Sequence, residues 1–303
     1  FFGEYSSNWY RIYKEPYLSA SSKANYRSAL NHYLFPAFGD RQMRAITAEQ
    51  LQAYLNDLAG TNKTTLTYIM TILQNCFTLA SAQGVIDRNA ADALKPPKAE
   101  RTSRRALTAQ ETAAVLKVID THADGLFLAI LYYTGLRRGE ALGLRWSDID
   151  FSARTLRVER DIDFVTGKVG TVKTTTSVRT VPVPDELIAL LNKTRQVGSG
   201  YIIRAPKTGM FWSQATFVRR WHKIQEALLK AAPGIEHSGK GSILTPHYFR
   251  HNYASILYRS GVDVLSAQQY LGHTDPATTM RIYTHLADET QLKDAEKVRK
   301  AFQ

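Results

Sequence analysis

The first ninety residues have the apolar spacing of amphipathic helices. Apolar side chains recur every three or four positions, and glycines stand where several of these stretches end. Thr47 followed by Gln50 has the spacing of a capping box, in which two side chains satisfy backbone groups at a helix start. The pattern predicts helices over residues 7–13, 21–37, 47–58 and 63–82. We therefore predict a small helical domain over residues 1–94.

A basic linker interrupts the helical pattern over residues 95–107. Pro96 and Pro97 lack the backbone N–H that a helix interior needs, and the surrounding residues are rich in lysine and arginine. A second capping box, at Thr108, opens a second predicted domain over residues 108–303. The helices predicted at its start cover residues 109–119 and 125–133.

The period of the apolar positions changes from helix to strand in the middle of this domain. Alternating apolar and polar residues predict strands over 155–161, 168–173 and 179–183. We expect them to form one small antiparallel sheet, with T-G-K and T-T-T-S-V as its turns. Helical spacing then returns, and it predicts helices starting at residues 184, 213, 245, 263 and 275. The predicted fold class is mainly α with a small antiparallel β-sheet: a helical domain followed by a mixed α+β domain.

Charge and cysteine content indicate the partner and the compartment. The 303 residues carry a net charge of +12 with a pI near 9.7, which indicates nucleic acid or an acidic membrane surface as the partner. No apolar run in the sequence is long enough to cross a bilayer. The single cysteine, Cys76, fits a reducing compartment, and its apolar helical surroundings predict a buried thiol. Because the chain opens F-F-G-E without methionine, we interpret it as a fragment or a processed chain.

Basic and hydroxyl side chains in the helical domain and the linker are candidates for contact with DNA phosphates. In the helical domain, a solvated charged surface is the alternative interpretation. The candidates are Lys23, Arg27, Lys63, Thr64, Lys95, Lys98, Arg101, Arg104 and Arg105.

Residues 245–285 concentrate the side chains that chemistry at a phosphodiester would need. Half of the eight histidines fall there with Arg250 and Tyr283, close to predicted helix starts and ends, where phosphate binds readily. A zinc site at His247 and His251 is disfavoured, because a tyrosine stands where the metalloprotease pattern requires glutamate.

Arginine, tyrosine, lysine and histidine together can cut DNA without a metal ion. Two arginines can hold the non-bridging oxygens, a tyrosine can attack phosphorus, and an ammonium group can protonate the leaving oxygen. Arg137 stands at a predicted helix start, and Glu140 three residues later is placed to orient an arginine. The sequence shows neither a carboxylate cluster with two-metal spacing nor a phosphate-binding glycine loop with its lysine. We therefore expect a reaction that uses no cofactor and no metal.

Five motifs resemble those of the tyrosine recombinase (phage integrase) family, and they occur in that family's order. They are T-G-L-R-R-G-E, K-T-T-T-S-V-R-T-V-P, H-Y-F-R-H, Y-L-G-H and Y-T-H. The helical domain before them is similar to the family's core-binding domain. The residues that match the family's catalytic positions are Arg137, Lys173, His247, Arg250, His273 and Tyr283. The resemblance implies that the two arginines bind phosphate, that the lysine on a β-hairpin is the general acid, and that the tyrosine is the nucleophile.

Within the family, the motifs are most similar to integrases of conjugative transposons and temperate phages, which often carry an additional amino-terminal arm-binding domain. The resemblance implies a site-specific DNA recombinase that forms a 3′-phosphotyrosine and passes through a Holliday junction. It implies double-stranded DNA as partner, accessory excision or host DNA-bending proteins, and a place in the bacterial cytoplasm at the nucleoid. A type IB topoisomerase, a chromosome-dimer resolvase of the same family and a non-catalytic DNA-binding protein remain as alternatives.

The last residues predict an amphipathic tail helix over 288–303. Its apolar side is formed by Leu292, Ala295, Val298 and Phe302. In the resembling family this segment packs onto a neighbouring protomer, so we expect the tail to join DNA-bound dimers and tetramers. Docking on its own domain is the alternative.

Other residues of the same types have ordinary interpretations. We assign Arg138, Arg145 and Arg281 to surface or structure, and His251 and His285 to supporting positions. Tyr258 and Tyr270 are rivals of Tyr283 by residue type alone.

Overall fold

A computed structural model of the chain describes residues 1–97, 106–164, 166–171, 178–195, 200–233, 244–273, 275–277, 279–280 and 283–284. The chain divides into two compact units, Phe1–Arg101 and Thr102–Gln303. Helices dominate both units, and the strands of the described residues belong to the second. The predicted class, mainly α with small antiparallel pairing of strands, is confirmed. None of the described helices is long and apolar enough to cross a membrane.

Amphipathic helices form the first unit around an aromatic core. Its α-helices are α1 (Phe2–Trp9), α2 (Ala20–Ala29), α3 (Phe35–Phe38), α4 (Ala48–Asp57) and α5 (Lys63–Ala82). The ring of Phe2 lies 6.2 Å from that of Phe77 and 6.2 Å from that of Phe38, so α1, α3 and α5 share one core. Cys76 is buried in this core, as predicted. The predicted capping box of α4 is also present.

Two predicted helices of this unit differ from those observed. The first begins at Phe2 rather than at residue 7, because the fully buried Phe2 ring holds the additional turn against the core. The second is not a regular α-helix over 21–37, since a π-helical turn at Leu30–Leu34 separates α2 from α3. Pro36 accounts for the wide turn, because proline lacks the N–H that would bond to the carbonyl four residues earlier.

Helices make up most of the second unit. Its α-helices are α6 (Ala109–Thr121), α7 (Gly125–Thr134), α8 (Arg138–Gly143), α9 (Asp185–Thr194), α10 (Gln214–Ala231), α11 (Pro246–Arg259) and α12 (Val264–Leu271). Residues 276–277, 279–280 and 283–284 are helical as well. Helix α7 is almost entirely buried, and its Phe127 packs against Trp212 and Trp221. At four predicted helix starts a side chain caps the helix: Thr108, Ser213, Thr245 and Asp263.

The described strands form two small sheets rather than the single sheet predicted. Strands β1 (Ile149–Asp150), β2 (Thr155–Val158) and β5 (Arg179–Pro182) pair antiparallel in the order β1-β2-β5. Strands β3 (Arg160–Asp163) and β4 (Lys168–Thr171) pair with each other across the predicted T-G-K turn. The prediction of one continuous strand over 155–161 is therefore wrong, because Glu159 separates two strands that belong to different sheets.

Close packing on α8 explains why β3 leaves the sheet of β2. The glycines of α8 present no side chain to β3, and a Cβ on Gly139 would lie 2.7 Å from the carbonyl oxygen of Ile162. A second glycine, Gly143, also packs against β3, and a Cβ there would meet the Arg160 side chain at 3.3 Å. The strand can therefore lie directly against the helix that starts after Arg137.

Both ends of the predicted linker are held by backbone hydrogen bonds. The Lys95 N–H donates to Gln52 Oε1 at 2.9 Å, and Gln52 Nε2 donates to the Lys95 carbonyl at 3.0 Å. At the other end, the N–H of the buried Leu107 donates to Asn252 Oδ1 on α11 at 3.0 Å. These bonds fix the two ends of the segment within their own units.

Candidate active site

An arginine cluster assembles at the carboxyl end of α12. Three consecutive carbonyl oxygens there accept hydrogen bonds from three different arginines. The acceptor and donor pairs are Tyr270 with Arg179, Leu271 with Arg250, and Gly272 with Arg137. The last carbonyls of a helix have no partner within it and carry partial negative charge, so they attract cations. Gly272 ends the helix in the left-handed conformation, with a φ of 63°.

Arg137 is the exposed member of this arginine cluster. It is the N-cap residue of α8, and it follows Gly135, which ends α7 with a φ of 62°. Its Nη1 donates to Glu140 Oε1 at 2.8 Å, and its Nη2 donates to the Gly272 carbonyl at 2.9 Å. The side chain is 42% exposed, so the guanidinium keeps access to solvent and to a ligand.

Arg250 is a buried member of the cluster, with its side chain 3% exposed on α11. Its Nη1 donates to the Gly135 carbonyl at 3.2 Å, and its Nη2 donates to the Leu271 carbonyl. Burial, and after it the like charge of Arg137, lowers the pKa of Arg250 to about 9, although the charge of Glu140 opposes the shift. The group therefore stays protonated at neutral pH.

Glu140 is the carboxylate that balances the cluster, and it is 1% exposed. Arg179 from β5 donates Nη1 to its Oε1 at 3.0 Å and Nη2 to its Oε2 at 2.8 Å. Burial by itself raises the pKa of Glu140, but the hydrogen bond and charge of Arg179, with the charges of Arg137 and Arg250, outweigh burial and lower the pKa to about 2. Glu140 is thus a carboxylate held in a bidentate pair.

His273 directly follows the three carbonyls of Tyr270, Leu271 and Gly272, and its surroundings keep it neutral. Burial, followed by the charges of Arg250, Arg137 and His247, lowers the pKa of His273 to about 3. Its Nδ1 lies 2.7 Å from the Thr279 hydroxyl. His247 is exposed near the start of α11, as the second residue of that helix.

Tyr283 packs in an apolar cluster with side chains of α11 and α12. Its hydroxyl donates to the Val262 carbonyl at 3.1 Å, and its ring meets that of Tyr258 edge-on at 5.0 Å. The residue is 9% exposed, and burial, followed by the charge of Asp263, raises the pKa of Tyr283 to about 12. By these contacts, the tyrosine hydroxyl is bonded to main chain rather than to the arginine cluster.

The structure thus brings together Arg137, Arg250 and His273 of the predicted set, with His247 near enough to influence the pKa of His273. Among the described residues, no group of three histidine, cysteine, aspartate or glutamate side chains is arranged to hold a metal ion. Several predicted residues lie outside the described part of the chain: Lys98, Arg101, Arg104, Arg105, Lys173, Arg281, His285 and the tail over 288–303.

The candidate DNA contacts of the first unit lie on two helices that pack together, α2 and α5. Lys23 is half-buried on α2, and Arg27 one turn later has a side chain that is 61% exposed. Arg27 also pairs with Glu15 at 2.5 Å, so part of its guanidinium is occupied within the unit. Lys63 and Thr64 are exposed at the start of α5.

The sequence prediction missed Arg179, whose side chain completes the cluster. A signal for it exists in R-T-V-P, because alternation places Arg179 on the same inward face as the buried Val181. An arginine on a buried strand face requires an anionic partner, and Glu140 supplies it.

Comparison with known proteins identifies the family of the chain. Residues 105–290 match the phage integrase family, and residues 1–59 match the phage integrase N-terminal SAM-like domain. A XerC-like tyrosine recombinase of Caldanaerobacter subterraneus subsp. tengcongensis is 27% identical, over 96% of this chain and 80% of that protein. The ICEBs1 integrase of Bacillus subtilis is 26% identical, over 91% and 78%. Tyrosine recombinase XerA of Thermococcus kodakarensis is 32% identical, over 69% and 68%.

Solved structures share the fold. An integrase of the Tn1549 transposon in complex with a circular intermediate DNA is 17% identical with a TM-score of 0.80, covering 98% of this chain and 99% of that one. A lambda integrase tetramer bound to a Holliday junction is 22% identical with a TM-score of 0.68, covering 90% and 77%. With the family match over the second unit and the order of its motifs, this chain belongs to the phage integrase family and is a tyrosine recombinase, a site-specific DNA recombinase.

Proposed function

We propose that this recombinase is the integrase of a mobile genetic element, and that it cuts and rejoins DNA through a 3′-phosphotyrosine on Tyr283. The observation that carries the proposal is the clustering of Arg137 and Arg250 at the end of α12, directly before His273. The similarity to the ICEBs1 and Tn1549 integrases supports an element that moves between DNA sites.

The scissile phosphate would bind at the arginine cluster. Arg137 uses two of its N–H groups on Glu140 and Gly272, and a guanidinium carries five, so others can reach the non-bridging oxygens. Because the donors are fixed before the reaction, they can neutralise charge as it develops on the phosphorane without reorganising. Burial and, after it, the nearby arginine charges keep the pKa of His273 low. Bound phosphate would offset those charges, and His273 could then accept the phenolic proton.

Tyr283 has to change partners before it can attack. Its hydroxyl is bonded to the Val262 carbonyl and its pKa is raised to about 12, a combination that disfavours the phenolate. Attack on phosphorus would form the Tyr283–phosphate bond and release the 5′ oxygen. In this proposal Lys173 gives its proton to that oxygen, which leaves a free 5′-hydroxyl.

Strand exchange would then join two DNA duplexes. We propose that the 5′-hydroxyl of one duplex attacks the phosphotyrosine of another, through a Holliday junction held by four protomers. The lambda integrase tetramer on a Holliday junction, which shares this fold, supports such an assembly. The proposal extends to contact of the basic linker with DNA, to packing of the tail over 288–303 on a neighbouring protomer, to accessory excision or DNA-bending proteins, and to action at the bacterial nucleoid.

Replacing Tyr283 with phenylalanine tests the proposed nucleophile. The Tyr283→Phe variant loses only the hydroxyl, so it should bind a half-site DNA normally and form no covalent adduct on a nicked substrate. The matched control is Tyr258→Phe, because the Tyr258 ring meets that of Tyr283 edge-on but Tyr258 lies outside the Y-T-H motif. That control should form the adduct at the normal yield.

Gel electrophoresis of the reaction products separates the possible activities. Adduct with recombinant product supports the integrase, adduct with relaxation alone supports a type IB topoisomerase, and binding alone supports a non-catalytic protein. Normal adduct formation by Tyr283→Phe would contradict the proposal and move the search to Tyr258 or Tyr270.

A further inference from the structure

Arg179 makes more contacts with the active-site framework than any role in strand pairing requires. Its two terminal nitrogens donate to the two oxygens of Glu140, and its Nε donates to the Tyr270 carbonyl at 2.8 Å. One side chain on β5 therefore holds both the carboxylate that orients Arg137 and the helix end that accepts from Arg137.

The guanidinium of Arg179 is closely packed and held in one position. Its side chain is 2% exposed, so it cannot reach a DNA phosphate itself. A Cβ on Gly272 would lie 2.8 Å from the Arg179 Nη1, which shows how closely the Gly272 backbone packs against the guanidinium. Lysine could not replace these contacts, because a single ammonium cannot make two parallel bonds to a carboxylate and a third to a carbonyl.

We infer that Arg179 is a positioning residue for recombination, which holds Glu140 and the Tyr270–Gly272 backbone in place and so directs Arg137 at the scissile phosphate. The inference rests on the proposed phosphate-binding role of Arg137. Arg179 never touches DNA in this role. Its effect reaches the reaction through the two hydrogen bonds that orient the Arg137 side chain.

The experiment compares two DNA substrates in single-turnover cleavage. One has an ordinary scissile phosphodiester, and the other has a methylphosphonate there, whose methyl group replaces a charged non-bridging oxygen. Because Arg137 would neutralise that charge, the defect of Arg137→Ala should be smaller on the methylphosphonate. Arg179→Lys and Arg179→Met should show the same pattern, with cleavage of the phosphodiester slowed roughly 10–100-fold by misplacement of Arg137. Half-site affinity should be unchanged.

A matched control separates positioning from fold stability. Arg160 on β3 is likewise largely buried and donates to the Gly143 carbonyl at 3.3 Å, but its carboxylate partners are Asp148 and Glu159 rather than Glu140. If Arg160→Met slows cleavage, it should slow cleavage of the two substrates equally. Thermal melting is recorded for all variants, and Arg179→Lys keeps the charge if Arg179→Met does not fold.

The results distinguish failure of this inference from failure of the proposed function. If Arg137→Ala is defective but Arg179→Lys cleaves at the normal rate, the inference is overturned and the proposed function stands. The same holds if cleavage by Arg179→Lys is slowed equally on both substrates. If Arg137→Ala cleaves normally, the proposed role of Arg137 fails and the inference fails with it. Loss of the folded state in both Arg179 variants would limit Arg179 to fold stability and would also overturn the inference.

Discussion

Three guanidinium groups gathered at one helix end would repel each other unless each had compensating partners. Arg137, Arg179 and Arg250 share Glu140 and three consecutive carbonyls, so each cation meets negative charge or a helix-end dipole. The arrangement has an excess of positive charge, which adds to the effect of burial in lowering the pKa of His273. A site built in this way attracts an anion with the charge of a phosphate.

The residues of the site differ in how far the sequence could predict them. Arg137, Arg250 and His273 stand in motifs at helix ends, where local rules and the family resemblance both apply. Arg179 could not be recognised in the same way, because its partner Glu140 lies 39 positions away and the contact depends on how β5 packs. The bond of Tyr283 to Val262 depends similarly on tertiary packing.

Lys173 carries the most specific prediction at this scale. If it is the general acid, Lys173→Ala should slow cleavage by roughly 10²–10⁴-fold. A substrate with sulfur at the 5′-bridging position has a leaving group that needs no proton, so it should restore cleavage by Lys173→Ala. The measurement is single-turnover cleavage of the oxygen and sulfur substrates.

Two variants serve as controls for Lys173. Lys168→Ala removes an exposed lysine from β4, five positions earlier in the sequence, and should cleave both substrates normally. Arg137→Ala should stay defective on the sulfur substrate. Equal rescue of Lys173→Ala and Arg137→Ala, or of neither, would exclude the general-acid role.

At the scale of elements, local rules predicted the helix starts well and the sheets poorly. The capping boxes at Thr47 and Thr108 involve residues three apart, so the sequence contains the whole interaction. Alternation marked the strands, but the partner of each strand lies elsewhere in the chain. Packing of β3 on the glycines of α8 therefore decided the pairing, and no local pattern reports it.

The end of α7 gives a prediction for stability and activity together. Gly135 has a φ of 62°, and a Cβ there would lie 2.5 Å from the buried Tyr253 ring. Gly135→Ala should lower the free energy of unfolding by about 1–2 kcal/mol for the left-handed backbone and by about 1–3 kcal/mol more for overpacking. Cleavage should fall as well, because the Gly135 carbonyl accepts from Arg250. Denaturant unfolding and single-turnover cleavage measure the two effects.

Gly261→Ala is the matched control for Gly135→Ala. Gly261 has a φ of 74° in the same unit, but a Cβ there would meet no atom within 4 Å. Gly261→Ala should therefore lower the free energy of unfolding only by the contribution of the left-handed backbone, and it should leave cleavage unchanged. If both variants lose the same stability, the clash with Tyr253 contributes nothing, and our account of the α7 end is wrong.

At the scale of the whole molecule, net charge governs binding to DNA. The chain carries +12, and each phosphate that a protein neutralises contributes about −0.9 to the slope of log K against log salt. We expect a slope steeper than about −5 for a half-site DNA. The proposed linker contacts should account for part of it: Lys95, Lys98, Arg101, Arg104 and Arg105.

The linker's share of the slope can be measured by neutralising those five residues to glutamine. Loss of their contacts should make the slope shallower by about 2–4, because each removed contact subtracts about 0.9. The control removes the same charge from exposed positions of the second unit: Lys117, Lys193, Lys207, Lys230 and Arg259. It should weaken binding through the general field and change the slope less, since counterion release follows direct contacts rather than net charge. Equal slopes for the linker variant and the unmodified protein would mean that the linker does not touch DNA.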